Sequence, residues 1–131
     1  MPLKRIDHYS IRARTDELPR VRDFYVEVLG LIDGDRPAFD FPGNWLYADG
    51  APVVHLIGES EHAPLDETAG SGSLDHISFG CSGLEAMRAH LRAQNVPFEE
   101  RPVPGGVYWQ MFLRDPAGIM VELTFAVRDA A

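Results

Sequence analysis

Apolar residues recur at helical spacing in two stretches of the chain. In the first stretch, the positions i, i+3, i+4, i+7 and i+8 are Val21, Phe24, Tyr25, Val28 and Leu29. This spacing predicts an amphipathic helix, which Gly30 would end. The shorter second stripe consists of Leu84, Met87 and Leu91. Its start, Ser82-Gly-Leu-Glu85, has a capping-box pattern, so a second helix is predicted from there to near Asn95.

Shorter apolar stretches predict eight strands. Four of them precede the middle of the chain, at Arg5 to Ala13, around Phe39 to Phe41, at Trp45 to Ala48 and at Pro52 to Gly58. The other four follow it, at Leu74 to Cys81, near Phe98 to Val103, at Val107 to Arg114 and at Ile119 to Val127. The segment between the two sets is rich in Gly, Pro, Ser, Glu and Asp, which is typical of a surface connection. Each half therefore has the order βαβββ.

Two short sequence repeats support this duplication. Ile6-Asp-His-Tyr-Ser10 matches Leu74-Asp-His-Ile-Ser78, and the second copy lies 68 residues further on. The stretch Leu46 to Leu56 resembles Phe112 to Leu123, which has one extra residue near its end. The two pairs of repeats have the same order at nearly the same offset. We therefore predict one domain over residues 1–131, with modules at about 4–59 and 73–128 and a connection at about 60–72.

Strand periodicity places four potential metal ligands on the faces turned away from the helices. Glu122 alternates with the apolar Val121 and Leu123, and His76 with Ile77. The repeat gives His8 and His55 the equivalent positions in the first half. These residues are His8, His55, His76 and Glu122, on strands one, four, five and eight. Three imidazoles and one carboxylate suit a divalent ion such as Zn, Ni, Fe or Mn, so we predict that they bind one such ion.

Composition and charge exclude several classes of protein. The 131 residues carry 20 acidic and 12 basic side chains, a net charge of −8, which disfavours nucleic-acid binding. No apolar stretch approaches the roughly 20 residues that span a bilayer, and the N-terminus lacks a signal-peptide pattern, so membrane insertion and secretion are not expected. Cys81 is the single cysteine, which favours a reducing cytoplasm.

The residues around these elements resemble a known family. The quoted motifs are the helix sequence Phe24-Tyr-Val-Glu-Val-Leu-Gly-Leu31, the strand start Leu74-Asp-His-Ile77, and Phe112-Leu-Arg-Asp-Pro-Ala-Gly-Ile-Met-Val-Glu-Leu123. Together with the duplicated βαβββ plan they resemble the vicinal oxygen chelate superfamily, which includes glyoxalase I and extradiol dioxygenases. The resemblance implies an α+β fold in which two modules form a curled eight-stranded mixed sheet around a metal-binding cleft.

The resemblance also implies the site and its chemistry. Its metal ligands would be His8, His55, His76 and Glu122, and one divalent ion would bind a small substrate through two neighbouring oxygens. Glyoxalase I relatives usually have Glu at the position of His55, so a strict glyoxalase I assignment does not follow. Residues on or beside the strands of the inferred cleft are candidates for its wall, although ordinary packing is an equally good interpretation of each; they are Trp45, Tyr47, Arg101, Tyr108, Gln110 and Phe112.

Three functions remain open at this point. The leading hypothesis is a metal-dependent lyase or isomerase of the glyoxalase-like group. An Fe(II)-dependent extradiol-type dioxygenase would use His8, His76 and Glu122 as a two-histidine, one-carboxylate set, with His55 as an outer acid or base. A non-catalytic protein that binds or sequesters a small molecule is the third. A homodimer is expected, because an open curled sheet leaves edges to cover, and the modules could pair within one chain or across two.

Overall fold

The computed structural model describes residues 4–60 and 74–129. Its strands are β1 (Tyr9–Ala13), β2 (Ile32–Gly34), β3 (Gly43–Ala48), β4 (Ala51–Gly58), β5 (Ile77–Cys81), β6 (Glu99–Pro102), β7 (Tyr108–Arg114) and β8 (Met120–Ala126). Its longer helices are α1 (Leu18–Asp23) and α2 (Leu84–Ala93). The order along each half is strand, helix and three strands, which confirms the predicted α+β fold of two βαβββ modules.

The eight strands form two four-stranded mixed sheets with the same topology. Their orders are β1-β4-β3-β2 and β5-β8-β7-β6. In each sheet the first and last strands of the module pair in parallel, β1 with β4 and β5 with β8. The remaining pairs are antiparallel. The duplication inferred from short repeats is therefore present in the hydrogen-bonded topology.

The chain divides into two compact units, Met1–Thr68 and Ala69–Ala131. Each unit buries the apolar side chains of its strands and its helical stripe. In the first unit these include Ile11, Leu18, Val21, Tyr25, Leu46, Val54 and Leu56, and in the second Leu84, Leu91, Met111, Leu113, Val121, Leu123 and Phe125. The predicted connection at 60–72 lies outside the described residues except for Ser60, so the module boundaries and the single domain stay predictions.

The first helical segment ends where the sequence indicated. A 3-10 turn at Thr15–Glu17 leads into α1, and a π-helical turn at Phe24–Val28 completes the segment. Gly30 has a φ of 81°, a left-handed conformation that glycine adopts without steric cost, and the Leu31 amide donates to the Tyr25 carbonyl. Tyr25 is completely buried and its hydroxyl accepts a hydrogen bond of 3.1 Å from Tyr9.

Three local predictions are wrong. Phe39–Phe41 is a loop rather than a strand, and the second strand is Ile32–Gly34. Pro37 and Pro42 flank that loop and lack the amide a strand ladder needs. Ser82 does not cap α2, because Gly83 occupies the N-cap with a φ of 76° and no side chain there caps the helix. The strands predicted from Arg5 and Leu74 begin later, at Tyr9 and Ile77.

None of the helices in the described part of the chain combines the length and apolar composition needed to cross a membrane.

Candidate metal centre

Strand register places His55 and Glu122 at equivalent positions in the two sheets. His55 pairs with Ser10 on one side and Trp45 on the other. Glu122 pairs with Ser78 and Phe112 in the same way. His8 and His76 each lie two residues before that serine. Each unit therefore brings one histidine, which lies immediately before its first strand rather than on it as predicted, beside one residue of its last strand.

In the first unit, the two predicted ligands form part of an aromatic stack. The ring centroids of His8 and His55 are 3.8 Å apart and their planes differ by 15°. On its other face His55 stacks on Trp45, with centroids 4.1 Å apart and planes 8° from parallel. The Trp45 ring lies 6.4 Å from Phe39. His55 is thus held between two flat rings.

Hydrogen bonds determine which imidazole nitrogens of this stack are available. His8 Nδ1 lies 2.9 Å from Asp7 Oδ2, and His55 Nε2 lies 2.9 Å from the Pro52 carbonyl. A carbonyl and an ionised carboxylate can only accept, so these two nitrogens carry the protons. The hydrogen bond from His8 lowers the pKa of the Asp7 carboxyl below its usual value. In the neutral imidazoles the lone pairs are therefore on Nε2 of His8 and Nδ1 of His55.

The surroundings of His55 favour the neutral form of its imidazole. Burial lowers the pKa of His55, and the neighbouring His8 lowers it further, while the hydrogen bond to the Pro52 carbonyl partly opposes both effects. A metal ligand must present an unprotonated nitrogen, and a proton acceptor must do the same. The environment of His55 suits both roles.

In the second unit, Glu122 is a buried carboxylate with a hydrogen bond to each oxygen. The residue is 6% exposed. Gln110 Nε2 donates to its Oε1 at 2.7 Å, and the Thr124 hydroxyl donates to its Oε2 at 2.9 Å. Because the Thr124 proton is used in this way, Ser78 must donate to Thr124 in the 2.9 Å contact between their hydroxyls. Glu122 is therefore held in one orientation by neutral donors.

His76 completes the second pair. Its Nδ1 lies 2.7 Å from Asp75 Oδ2, as the Nδ1 of His8 lies near Asp7, so in the neutral imidazole Nε2 carries the lone pair. That Nε2 is 3.8 Å from Glu122 Oε1. Two ligands of one tetrahedral ion, each about 2.1 Å from it, lie about 3.4 Å apart. His76 and Glu122 are therefore within a few tenths of an ångström of the spacing that a shared ion requires.

The donor chemistry of both pairs fits a divalent ion, but their orientations differ. Within residues 4–60 and 74–129, no three His, Cys, Asp or Glu side chains converge as a complete metal site. The His76–Glu122 pair is nearly at ligand spacing. The lone pairs of His8 and His55 lie in nearly parallel ring planes and do not converge, so one ring must rotate before both can bind the same ion. The four-ligand site stays a prediction.

The predicted wall residues lie on two sheets and have different contacts. In the first unit Trp45 joins the imidazole stack, whereas the Tyr47 hydroxyl donates to the Asp35 carbonyl at 2.7 Å. In the second unit alternation puts the other four on the face of Glu122. There Gln110 holds the carboxylate, the Arg101 guanidinium lies 4.5 Å from the centre of the Phe112 ring, and Tyr108 is 47% exposed.

Some of the groups that shape this site were not predicted. Asp7 and Asp75 orient the two repeat-related histidines, and the repeated Asp-His dipeptide was a visible signal for them. Thr124 could have been placed on the face of Glu122 by strand alternation. The loop residues Arg36 and Phe39 gave no signal, because no local pattern relates them to His55.

Comparisons with known proteins agree with the fold. The family model for the glyoxalase/bleomycin resistance protein/dioxygenase superfamily matches residues 5–123. The chain is 31% identical over 125 residues to Glyoxylase I 4 of Arabidopsis thaliana, an alignment that covers 92% of this chain and 70% of the relative.

Two solved structures superimpose over almost the whole chain. A glyoxalase family protein from Bacillus anthracis has a TM-score of 0.77 and 17% identity, covering 96% of this chain and 98% of its own. The lactoylglutathione lyase of Agrobacterium tumefaciens has a TM-score of 0.70 and 19% identity, covering 95% and 96%. At these identities the structural matches establish the fold alone. The family model, which spans most of the chain, establishes the family: this chain belongs to the glyoxalase/bleomycin resistance protein/dioxygenase superfamily.

Proposed function

We propose that the protein is a metal-dependent enzyme of the glyoxalase-like group, a lyase or isomerase acting on a small substrate that binds the metal through neighbouring oxygens. His8, His55, His76 and Glu122 would hold one divalent ion, Zn, Ni, Fe or Mn. The donor set supports this proposal, because three imidazoles and one carboxylate leave room on the ion for a substrate.

The single observation that carries the proposal is the burial of Glu122. An ionised carboxylate is costly to bury unless a cation compensates it. Among the described residues, no Lys or Arg forms an ion pair with Glu122, and the nearest basic group is His76 Nε2 at 3.8 Å. In the neutral imidazole that donates from Nδ1 to Asp75, that nitrogen carries a lone pair and supplies no charge. A divalent cation bound by both residues would compensate the carboxylate.

The chain's own residues would position the substrate and move protons. A bound divalent ion would polarise two substrate oxygens and stabilise the negative charge that develops on them, an effect worth several kcal/mol. Gln110 and Thr124 prevent Glu122 from rotating away from His76. His55, kept neutral by burial, would be the fourth ligand or, if the other three suffice, would accept a substrate proton at Nδ1.

Metal analysis tests the proposal directly. Protein purified without added metal, analysed by mass spectrometry before and after loading with each ion, should bind one ion per chain. The loaded protein is then screened with hemithioacetals and other compounds with neighbouring oxygens. Oxygen uptake with catechols on the Fe(II) form would instead identify ring cleavage. A chain that binds no divalent ion at micromolar concentration would contradict the enzyme proposal.

A non-catalytic binding protein is the second candidate, and the aromatic stack favours it. His8, His55 and Trp45 already lie face to face, an arrangement that suits stacking on a flat ligand better than it suits chelation. If this candidate is correct, flat ligands will bind the metal-free protein as tightly as the loaded protein. Calorimetry on the two forms separates the candidates.

We also propose a homodimer. Ile32 on the edge strand β2 is 68% exposed, and an uncovered edge strand favours association with a second copy. Sedimentation velocity should show a dimer at tens of micromolar, and a monomer there would contradict this proposal.

A further inference from the structure

The loop between β2 and β3 holds an arginine among aromatic rings. The Arg36 guanidinium lies 4.9 Å from the centre of the Phe39 ring and 5.1 Å from that of Phe41. The two phenyl rings stack on each other with centroids 5.0 Å apart. Arg36 Nη2 donates to the Phe41 carbonyl at 2.9 Å. Arg36 is half-buried, so its charge is held at a defined place rather than moving freely in solvent.

This guanidinium is connected to the predicted ligand His55 through a series of ring contacts. The Phe39 ring, whose centre lies 4.9 Å from the guanidinium, lies 6.4 Å from the Trp45 ring. Trp45 in turn stacks on His55. Arg36, Phe39, Trp45 and His55 therefore follow one another within the first unit.

Arg36 differs in its partners from five of the ten other arginines. Among the described residues, Arg5, Arg14, Arg20, Arg22 and Arg88 all form ion pairs with Asp or Glu. Arg36 forms none there, although the chain has 20 acidic residues. Its hydrogen bond uses Nη2 only, so Nε and Nη1 remain for another acceptor. A half-buried guanidinium with open donors beside a flat ring fits an anionic, planar ligand.

We propose that Arg36 is a specificity-determining residue that selects planar, unsaturated substrates carrying a carboxylate at the end opposite the one that faces His55. This inference rests on the proposed function, which places the metal-binding end of the substrate beside His55. Trp45 would stack on the planar part, and Arg36 would bind the carboxylate with Nε and Nη1. The second unit repeats the combination of arginine and ring, with Arg101 over Phe112.

The test compares two catechols that differ only in charge. Protocatechuate has two neighbouring oxygens at one edge of a flat ring and a carboxylate at the opposite edge, and protocatechuamide replaces that carboxylate by a neutral amide. Their dissociation constants are measured by calorimetry on the metal-free and on the zinc-loaded protein. We expect the acid to bind about tenfold more tightly than the amide in both forms, against the repulsion of a chain with a net charge of −8.

Three variants assign the preference to its source. Arg36→Met should reduce the acid-to-amide ratio to about one, and Arg36→Lys should retain part of it because the charge remains. Arg20→Met removes the same charge from an exposed ion pair with Glu17 and should leave the ratio unchanged. Arg36→Met also removes the contacts that Arg36 makes with Phe39 and Phe41 in the loop. The acid-to-amide ratio of the wild type is therefore also measured between about 50 mM and 500 mM salt, where screening should lower it.

The outcomes separate this inference from the proposed function. Equal binding of acid and amide by wild-type protein, or a ratio that survives in Arg36→Met, would overturn the role of Arg36, and zinc binding would still support the enzyme. A protein that binds no zinc but keeps an Arg36-dependent ratio would contradict the enzyme and retain the inference. If Arg36→Met lowered only the melting temperature, the role of Arg36 would be structural, which also overturns the inference.

Discussion

The two units have the same topology but present their candidate ligands in different surroundings. In the first unit, His8 and His55 lie in a stack of flat rings with Trp45. In the second, His76 faces a buried Glu122 whose two oxygens accept from Gln110 and Thr124. The backbone register is the same, since Trp45 pairs with His55 as Phe112 pairs with Glu122. The comparison teaches that a duplicated scaffold preserves the positions of the candidate ligands, whereas neighbouring side chains decide the chemistry of each position.

Removal of the charged ligand should have the largest effect. We expect Glu122→Gln to weaken metal affinity by about 100-fold or more, because it neutralises the only carboxylate of the four ligands. The metal-free variant should be no less stable than the wild type, since a buried charge has been removed. Calorimetric titration and thermal denaturation measure the two effects, and Glu85→Gln on an exposed face of α2 is the matched control.

The effect of Glu122→Gln on metal affinity is compared with that of His55→Ala. His55→Ala should weaken metal affinity less than Glu122→Gln, because it leaves the charged ligand in place. If Glu122→Gln retained stoichiometric metal while His55→Ala lost it, the assignment of principal and auxiliary ligands would be wrong.

Removal of an orienting carboxylate should have an intermediate effect. Asp75→Ala leaves His76 in place but removes the acceptor that keeps the proton on Nδ1, so we expect metal affinity to fall by about tenfold. Asp7→Ala should do the same for His8 in the first unit. Nitrogen NMR of the metal-free protein should show a loss of the Nδ1-protonated form in each variant. Unchanged spectra and affinities, matching those of the exposed control Asp16→Ala, would assign both aspartates to the solvated surface.

Disruption of the aromatic stack should change the stability of the first unit more than the equivalent change in the second. Trp45→Leu should lower the free energy of unfolding by about 1 kcal/mol, because its stacking on His55 is lost. The equivalent Phe112→Leu in the second unit should cost less, since the Arg101 above that ring is exposed to solvent. Urea denaturation of the metal-free variants measures both. Equal losses would mean that stacking does not distinguish the two units.

The pH dependence of stability should show the smallest effect. Because burial lowers the pKa of His55 below its usual value of 6.5, the folded chain binds fewer protons there than the unfolded chain does. Its contribution to stability is present above pH 6.5 and is lost as the pH falls below that value. The metal-free wild type should therefore lose more stability than His55→Gln between about pH 7 and pH 5. Parallel curves for the two proteins would contradict a pKa of the half-buried His55 below its usual value.

Much of the fold was predictable because it depends on short-range patterns. Helical spacing around Tyr25 and Leu91 and strand alternation around Glu122 reflect backbone geometry, which acts over a few residues. The repeated Asp-His-x-Ser sequence then revealed the duplication, and the strand orders agree with it. The same alternation placed the four candidate ligands on a common kind of face.

Only the tertiary structure decided the conformation of the loops and the orientation of the side chains. Phe39 and Phe41 look like strand residues locally, yet they stack on each other and under Arg36. The ring of His55 is positioned by Trp45 and His8, and the orientation of Glu122 by Gln110, 12 residues away. Side-chain rotamers and loop conformations depend on packing and hydrogen-bond partners, which local periodicity does not encode. The sequence alone therefore determined the positions of these residues on the sheets. The folded chain determined which neighbours surround each position and how each side chain is oriented.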